Sequence, residues 1–157
     1  MLLFKETAHL RHFLNTQNKP IGFIPTMGAL HQGHLSLIQK AAQECQLTVV
    51  SIFVNPTQFN DPSDFEKYPV TLDQDIQLLS QVKTDVLFLP SVKEMYPNGT
   101  GNLTNFDIGY LDTILDGKFR PGHFNGVCNI VETLLLAVEP DKLFMGEKDF
   151  QQCLVVK

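Results

Sequence analysis

Hydrophobic positions along the chain alternate between short apolar runs and helical spacings. Apolar runs predict strands at residues 21–25, 47–54, 85–90 and 141–146. Apolar residues at helical spacing predict helices at residues 6–16, 33–46, 72–82 and 127–138, with a last helix opening after residue 146. The run LTVVSIFV at 47–54 is apolar almost throughout, which is typical of a parallel strand covered on both faces. Alternating strands and helices predict an α/β fold with a doubly wound parallel sheet.

The intervening segments are rich in proline and in residues that form turns. Residues 55–69, 91–102 and 117–126 are predicted to be loops, and residues 103–115 are ambiguous. Thr71 is a predicted N-cap, with Asp73 and Asp75 placed to complement the dipole of the helix that follows.

Composition indicates one globular domain over residues 1–157, because 43% of the residues are hydrophobic and 18% are charged. Twelve Lys and Arg against seventeen Asp and Glu give a net charge of −5. This balance argues against nucleic acid or an anionic membrane as partner. Cys45, Cys128 and Cys153 match no disulfide framework, and no apolar stretch resembles a signal peptide or a membrane span, so we expect a cytoplasmic protein.

Polar, glycine-marked segments follow three of the predicted strands. They are PTMGALHQGH at 25–34, NPTQF at 55–59 and GEKDFQQ at 146–152. In an open parallel sheet, ligands bind beyond the carboxyl ends of the strands. We therefore expect these three segments to line one crevice.

The segment 25–34 has the features of a phosphate site. Gly33 and His34 open a predicted helix, whose free N–H groups and positive dipole end attract phosphate oxygens. His31 lies three residues before His34, so both rings, as imidazolium groups, could donate hydrogen bonds to phosphates during phosphoryl or nucleotidyl transfer. Gly28 allows a close turn of the backbone. Two alternatives stay open: one histidine only caps the helix, or both bind zinc with His123 as a third ligand.

Other polar residues near strand ends suit a nucleotide and a small acid. Lys148 could pair with phosphate and Asp149 could accept from ribose hydroxyls, although a capped helix with a solvated lysine is the plain alternative. Gln58 and Gln152 suit a carboxylate or hydroxyl, or are ordinary surface residues. Arg120 could bind an anion or form a structural salt bridge.

Five segments in this order resemble the pantothenate synthetase (pantoate–β-alanine ligase) family: PTMGALHQGHLSLI, VSIFVNPTQF, DFEKYPVTLDQD, RPGHFNGV and FMGEKDFQQ. The His-x-Gly-His element alone is shared with many nucleotidyltransferases and class I aminoacyl-tRNA synthetases. The resemblance implies a Rossmann-like fold and a homodimer. It also implies a two-step reaction, in which pantoate attacks the α-phosphate of Mg²⁺-bound ATP to give pantoyl adenylate and pyrophosphate. β-Alanine then attacks the acyl carbon, and pantothenate and AMP are released.

The resemblance also implies roles for individual residues, with His34 as proton donor, His31 beside the phosphates, Lys148 on phosphate and no resident metal. The implied ATP site comprises Met27, Gly28, Ala29, Leu30, His31, Gln32, Gly33, His34, Gly146, Glu147, Lys148 and Asp149. Gln58 and Gln152 would hold pantoate, with Gln58 also near β-alanine. The implied apolar wall comprises Pro25, Phe53, Val127, Ile130 and Val131. Asn55, Tyr68, Arg120 and His123 match family positions near the site.

Two features of the family have no counterpart in these residues, namely a Ser-Ser-Arg loop and a small C-terminal lid domain. The sequence ends at Lys157 within an apolar pattern. We therefore expect an N-terminal domain cut from a longer enzyme. Two alternatives remain: a nucleotide- or pantoate-binding module without turnover, and a nucleotidyltransferase that acts on a different acceptor.

Overall fold

The computed structural model describes residues 1–101 and 103–157, and Asn102, the last residue of the predicted loop 91–102, lies outside that description. The strands are β1 (Leu2–Phe4), β2 (Ile21–Thr26), β3 (Leu47–Ile52), β4 (Val86–Phe88) and β5 (Lys142–Leu143). The helices are α1 (Thr7–Leu14), α2 (Gln32–Glu44), α3 (Pro62–Glu66), α4 (Leu72–Ser80), α5 (Val92–Met95), α6 (Leu115–Phe119), α7 (His123–Val138) and α8 (Phe150–Val156). Short 3₁₀ helices cover Pro56–Gln58, Gly109–Thr113 and Glu147–Asp149.

The strands form one parallel sheet in the order β1-β4-β3-β2-β5, which confirms the predicted α/β architecture. β2 and β3 pair along their whole length, from Ile21 opposite Leu47 to Thr26 opposite Ile52. β5 pairs with the other side of β2. The carboxyl ends of these three adjacent strands therefore lie along the same edge of the sheet.

Each face of the sheet is covered by helices and carries its own hydrophobic core. On one face, Leu10 of α1 and Leu134 of α7 pack in a cluster with Val49. On the opposite face, Ile38 of α2 packs in a cluster with Val50. Because successive side chains of a strand point to opposite faces, double coverage explains the unbroken apolar run in β3. No helix within the described residues is long and apolar enough to cross a membrane.

The structure contains elements that the hydrophobic pattern does not predict. Strand β1 is only three residues long, and Leu2 and Leu3 are exposed at the sheet edge, so it carries no apolar periodicity. Helices α3 and α5 lie in segments predicted as loops. Local caps form them: the Asp61 side chain accepts from the Ser63 N–H at 2.8 Å, and Ser91 Oγ accepts from the Glu94 N–H at 3.1 Å.

The predicted loop 117–126 is also partly wrong, because α6 ends within it and α7 starts within it. Gly122 adopts a left-handed φ of +79° and turns the chain directly into α7. The first turn of α7, including Gly126, packs against the 3₁₀ helix Pro56–Gln58. Glycine is required at that point, since a Cβ on Gly126 would overlap the Thr57 carbonyl group, with its carbon only 2.7 Å away.

Replacing Gly126 with alanine should therefore destabilise the protein, although alanine has the better helix propensity. The overlap is with backbone and cannot be relieved by rotating a side chain. We expect Gly126→Ala to lower the free energy of unfolding by about 1–3 kcal/mol, as overpacked sites do. Urea denaturation followed by circular dichroism measures this change.

Gly146→Ala is the matched control, because its φ is −78° and the nearest described atom to an added Cβ is Leu37 Cδ1 at 4.0 Å. It should change the free energy of unfolding by less than about 0.5 kcal/mol. Equal midpoints for the two variants would show that α7 does not press on residue 57.

Candidate active site

A cavity of about 590 Å³ opens at the carboxyl edge of the sheet. Residues from all three predicted segments, 25–34, 55–59 and 146–152, line this cavity. Helix α7 closes one side with the apolar side chains of Val127, Ile130, Val131 and Leu134. The three polar segments thus meet in one crevice.

The turn between β2 and α2 is held by a buried carboxylate. Gly28 and Ala29 both have left-handed backbone angles, with φ of +81° and +50°. Asp75 of α4 is 1% exposed and accepts from the N–H groups of Ala29 at 3.1 Å and Leu30 at 2.7 Å. The Thr71 hydroxyl donates to the same carboxylate at 3.2 Å instead of capping α4. A left-handed conformation at alanine costs about 1–3 kcal/mol, and these charge-assisted hydrogen bonds offset it.

The two histidines of the first turn of α2 cap the helix reciprocally. His31 Nδ1 accepts from the Gly33 N–H at 3.1 Å, and His34 Nδ1 accepts from the His31 N–H at 3.3 Å. A ring nitrogen that accepts carries no proton, so in both rings the N–H is at Nε2. The ring centroids are 4.2 Å apart, and both residues line the cavity. The alternative of one capping histidine and one merely exposed histidine therefore does not hold, because both cap the helix and both also line the cavity.

His34 is neutral near pH 7. Burial and the neighbouring His31 hold its pKa below the ordinary value for histidine, while the carboxylates of Asp75 and Asp149 act in the opposite direction. The expectation of two imidazolium cations is thus wrong for His34 in the free protein. Its contribution to the cavity is a neutral Nε2–H donor on the positive end of the α2 dipole.

Lys148 supplies the positive charge of the crevice. Among the described residues that line the cavity, it is the only lysine or arginine. It lies in the 3₁₀ helix Glu147–Asp149, which follows β5, and it contributes to lowering the pKa of His34. Two carboxylates from the same short helix, Glu147 and Asp149, also line the cavity.

Most of the predicted site residues line the cavity. They are Met27, Gly28, Ala29, His31, Gly33, His34, Gly146, Glu147, Lys148, Asp149, Gln58, Gln152, Tyr68, Pro25, Phe53, Val127, Ile130 and Val131. Leu30 and Gln32 of the predicted nucleotide site do not line it. Leu30 packs in the core beside α2, because its N–H is turned to Asp75, and Gln32 is exposed on the first turn.

The cavity also has lining residues that the sequence reasoning did not predict: Thr26, Ser36, Leu37, Leu134, Phe144 and Met145. Ser36 and Leu37 follow Gly33 by three and four residues, so helical spacing could have placed them on the same face. Phe144 and Met145 lie between the end of β5 and Gly146. Their orientation toward the cavity depends on how β5 pairs in the sheet, and the sequence pattern does not show that pairing.

Asn55, Arg120 and His123 do not line the cavity but hold the segment that carries Gln58. The backbone carbonyl of Gln58 can only accept a hydrogen bond, so the His123 Nδ1–H donates to it at 2.9 Å. Arg120 approaches the same carbonyl at 3.5 Å. Burial lowers the pKa of His123, so its ring is neutral at pH 7. Within the described residues, no group of three or more His, Cys, Asp or Glu side chains is arranged to hold a metal ion.

Comparison with known proteins places this geometry in a family. The family model described as Pantoate-beta-alanine ligase matches residues 2–157. The pantothenate synthetase of Porphyromonas gingivalis strain W83 is 48% identical over 160 residues, covering 100% of this chain and 56% of that protein. The pantothenate synthetase of Bacteroides thetaiotaomicron is 53% identical over 144 residues, covering 92% of this chain and 50% of that protein.

Solved structures show the same similarity. The crystal structure of pantoate-beta-alanine ligase from Francisella tularensis, complexed with Beta-gamma ATP and beta-alanine, has a TM-score of 0.94 and 46% identity, covering 99% of this chain and 60% of that one. Pantothenate synthetase from Thermus thermophilus has a TM-score of 0.92 and 44% identity, covering 99% of this chain and 55% of that one. The chain thus spans about half the length of the curated relatives it matches. With the family model matching almost every residue and the fold shared throughout, the chain belongs to the pantoate–β-alanine ligase family.

Proposed function

We propose that this chain provides the ATP- and pantoate-binding domain, residues 1–157, of an enzyme that condenses pantoate with β-alanine through pantoyl adenylate. The observation that carries the proposal is that one cavity joins the His-x-Gly-His turn, Lys148 and two glutamines to an apolar wall. We include in the proposal a cytoplasmic homodimer, Mg²⁺ bound to the ATP phosphates as part of the substrate, and the absence of nucleic acid or membrane partners.

The phosphate half of the cavity suits a triphosphate despite the acidic balance of the chain. Helix α2 has thirteen residues and no acidic residue in its first turn, so its positive dipole end is not neutralised by its own side chains. The Nε2–H groups of His31 and His34 add donors that need no reorientation, and the Lys148 ammonium adds a positive charge on a flexible side chain. In this proposal Asp149, which lines the cavity together with Glu147, accepts from ribose hydroxyls.

The other half of the cavity suits a small branched hydroxy acid. Pro25, Phe53 and the α7 side chains form an apolar surface against which two methyl groups could pack. Gln58 and Gln152 lie at the same cavity and can hydrogen-bond to a carboxylate or hydroxyl without adding charge. A pocket with a few convergent polar groups on an apolar wall is the usual form of a small-molecule site.

In the proposed reaction, a pantoate carboxylate oxygen attacks the α-phosphorus of ATP, and the bond from that phosphorus to the bridging oxygen breaks. Pyrophosphate leaves. The amine nitrogen of β-alanine then attacks the acyl carbon, the bond to the AMP oxygen breaks, and the amine gives up its proton. Each step spreads negative charge over phosphate oxygens, so alignment and fixed N–H donors are the main catalytic contributions. A neutral His34 serves this role as a hydrogen-bond donor.

A second candidate function is binding of ATP or pantoate without turnover. It is favoured by the cavity, which offers groups for binding but, among its described lining residues, only one lysine to neutralise the charge that develops in the reaction. If other parts of such enzymes exclude water from the adenylate, these residues alone would bind substrates but release little product.

Pyrophosphate release by this chain, measured with ATP alone, pantoate alone and both together, tests the ligase proposal. Release that requires both substrates, followed by AMP and pantothenate on adding β-alanine, supports it. Calorimetric binding of ATP and pantoate without turnover supports the binding module. Release stimulated by pantetheine phosphate or nicotinate mononucleotide, and not by pantoate, would contradict both and indicate another acceptor.

Replacing His34 with alanine removes an Nε2–H donor at the phosphate half of the cavity. We expect pyrophosphate release to fall roughly 100-fold or more, as on loss of one preorganised donor. The unfolding midpoint should fall only slightly, since the variant loses one helix-cap hydrogen bond.

His12→Ala is the matched control, because His12 is exposed in the last turn of α1 and is not among the described residues that line the cavity. It should leave both turnover and ATP affinity unchanged. Near-normal turnover in His34→Ala would remove this ring from the catalytic machinery.

A further inference from the structure

A buried hydrogen-bond network lies behind Gln58, and its members come from three distant parts of the chain. Tyr96 follows α5, Asn55 follows β3, and Gly126 lies in the first turn of α7. Asn55 is fully buried, and Tyr96 and Gln58 are each 8% exposed. Within the part of the chain that the structure describes, Gln58 is the only member of this network that lines the cavity.

We propose that Tyr96 and Asn55 are positioning residues that fix the Gln58 amide with its Nε2–H₂ group toward the cavity. The cavity side of Gln58 is then a donor only, and it selects an oxygen acceptor on the substrate. The identification of that acceptor as an oxygen of pantoate rests on the proposed function. The amide orientation itself does not.

The orientation of the Asn55 amide follows from a backbone carbonyl. Asn55 Nδ2 lies 3.1 Å from the Gly126 carbonyl oxygen, which can only accept a hydrogen bond. The atom facing Gly126 must therefore be the nitrogen. The oxygen of the same amide, Oδ1, accepts from the Tyr96 hydroxyl at 2.7 Å and from the Thr57 hydroxyl at 3.1 Å.

The orientation of the Gln58 amide follows from that of Asn55. Asn55 Nδ2 has a second proton, which it donates to Gln58 Oε1 at 2.9 Å. Because Nδ2 cannot accept, Gln58 must turn its oxygen toward Asn55 and its nitrogen away. Within residues 1–101 and 103–157, Gln58 Nε2 has no protein hydrogen-bond partner, so its donors are available to a ligand in the cavity.

Tyr96 supports this arrangement, because its hydroxyl donates to Asn55 Oδ1 at 2.7 Å. Burial raises the pKa of the Tyr96 phenol, so the hydroxyl remains a protonated donor through the neutral range. Rotating the Asn55 amide by half a turn would place its oxygen against the Gly126 carbonyl, which only accepts, and its nitrogen against the Thr57 N–H, which only donates and now lies 3.4 Å from Oδ1. Both contacts would lose their hydrogen bonds in a site without water access, which is costly for buried polar groups.

A donor-only Gln58 distinguishes the ends of the proposed substrates. A carboxylate or hydroxyl oxygen of pantoate satisfies Nε2–H₂, and a charged acceptor makes the stronger hydrogen bond. The ammonium group of β-alanine carries only donors and would be repelled. Any contact of β-alanine with Gln58 must therefore use its carboxylate.

Tyr96→Phe tests the positioning role. We expect the dissociation constant for pantoate, measured by calorimetry, to rise about threefold to tenfold, as for loss of one buried hydrogen bond. The dissociation constant for ATP should stay within about twofold, because the phosphate half does not contact this network. Tyr110→Phe is the matched control, since Tyr110 is 73% exposed and its ring can lose the hydroxyl without effect.

If Tyr96 only stabilised the fold, Tyr96→Phe would weaken ATP and pantoate binding together and lower the unfolding midpoint. That pattern overturns the positioning role.

Gln58→Glu tests whether the cavity side of Gln58 is a donor, because the isosteric glutamate still accepts from Asn55 but turns a carboxylate oxygen to the cavity. It should weaken pantoate binding about 100-fold or more, as close like charges do, with ATP affinity largely kept. Unchanged pantoate affinity in Gln58→Glu overturns the donor-only assignment.

Neutron diffraction on the ligand-free protein separates this inference from the proposed function. Deuterium on the cavity-facing atom of Gln58 is expected, and an oxygen in that position overturns the inference whatever the substrate. If the deuterium is found while the wild-type protein binds no pantoate, the proposed substrate is wrong and the amide orientation stands.

Discussion

The hydrogen bonds from the Ala29 and Leu30 N–H groups to the Asp75 carboxylate are the interaction on which the site depends. They hold two consecutive residues, Gly28 and Ala29, in left-handed backbone conformations, and this turn aims the N-terminus of α2 into the crevice. Without the carboxylate, two N–H groups near the core would lack partners, at about 1–3 kcal/mol for each such group. The conformation of the phosphate half of the cavity therefore depends on Asp75 of α4, which packs behind the turn.

The order of the strands decides which polar segments can meet. β3, β2 and β5 are adjacent and parallel, so the segments that follow them emerge side by side. Each supplies a different kind of group: a helix N-terminus with two imidazoles after β2, an amide after β3, and a lysine after β5. α7 then closes the crevice with apolar side chains, and its contact with Thr57 couples this wall to the amide-bearing segment.

Sequence patterns predicted the parts of the fold that rest on periodicity. The central strands β2 and β3 and helices α2 and α4 were predictable because each buries a regular apolar face. Strand β1 and helices α3 and α5 were not predictable, because a three-residue edge strand and helices of four or five residues are too short to show a hydrophobic period. α7 begins four residues before the predicted start, since Gly122 and Gly126 read as loop residues although one is a helix cap and the other a packing contact.

The candidate site was predictable where polar, reactive side chains directly follow a strand. It was not predictable where the protonation or orientation of a side chain depends on packing. The two histidines and Lys148 stand out in the sequence, yet the neutrality of His34 follows from burial and from His31. Likewise the orientation of Gln58 depends on Tyr96 and Gly126, which lie 38 and 68 residues further along the chain. No local pattern contains that information.

Neutral donors also explain how an acidic protein can keep an anion site open without a ligand. Two imidazolium rings 4.2 Å apart beside Lys148 would repel one another, and the partial burial of His34 would add a desolvation cost. A neutral His34 avoids both costs, and the Nε2–H groups of the two rings, fixed by reciprocal caps, still offer hydrogen bonds to phosphate oxygens. Positive charge then resides on Lys148, whose flexible side chain can follow the phosphates. The site thus separates fixed directional donors from mobile charge, which suits a substrate whose charge shifts between oxygens during the reaction.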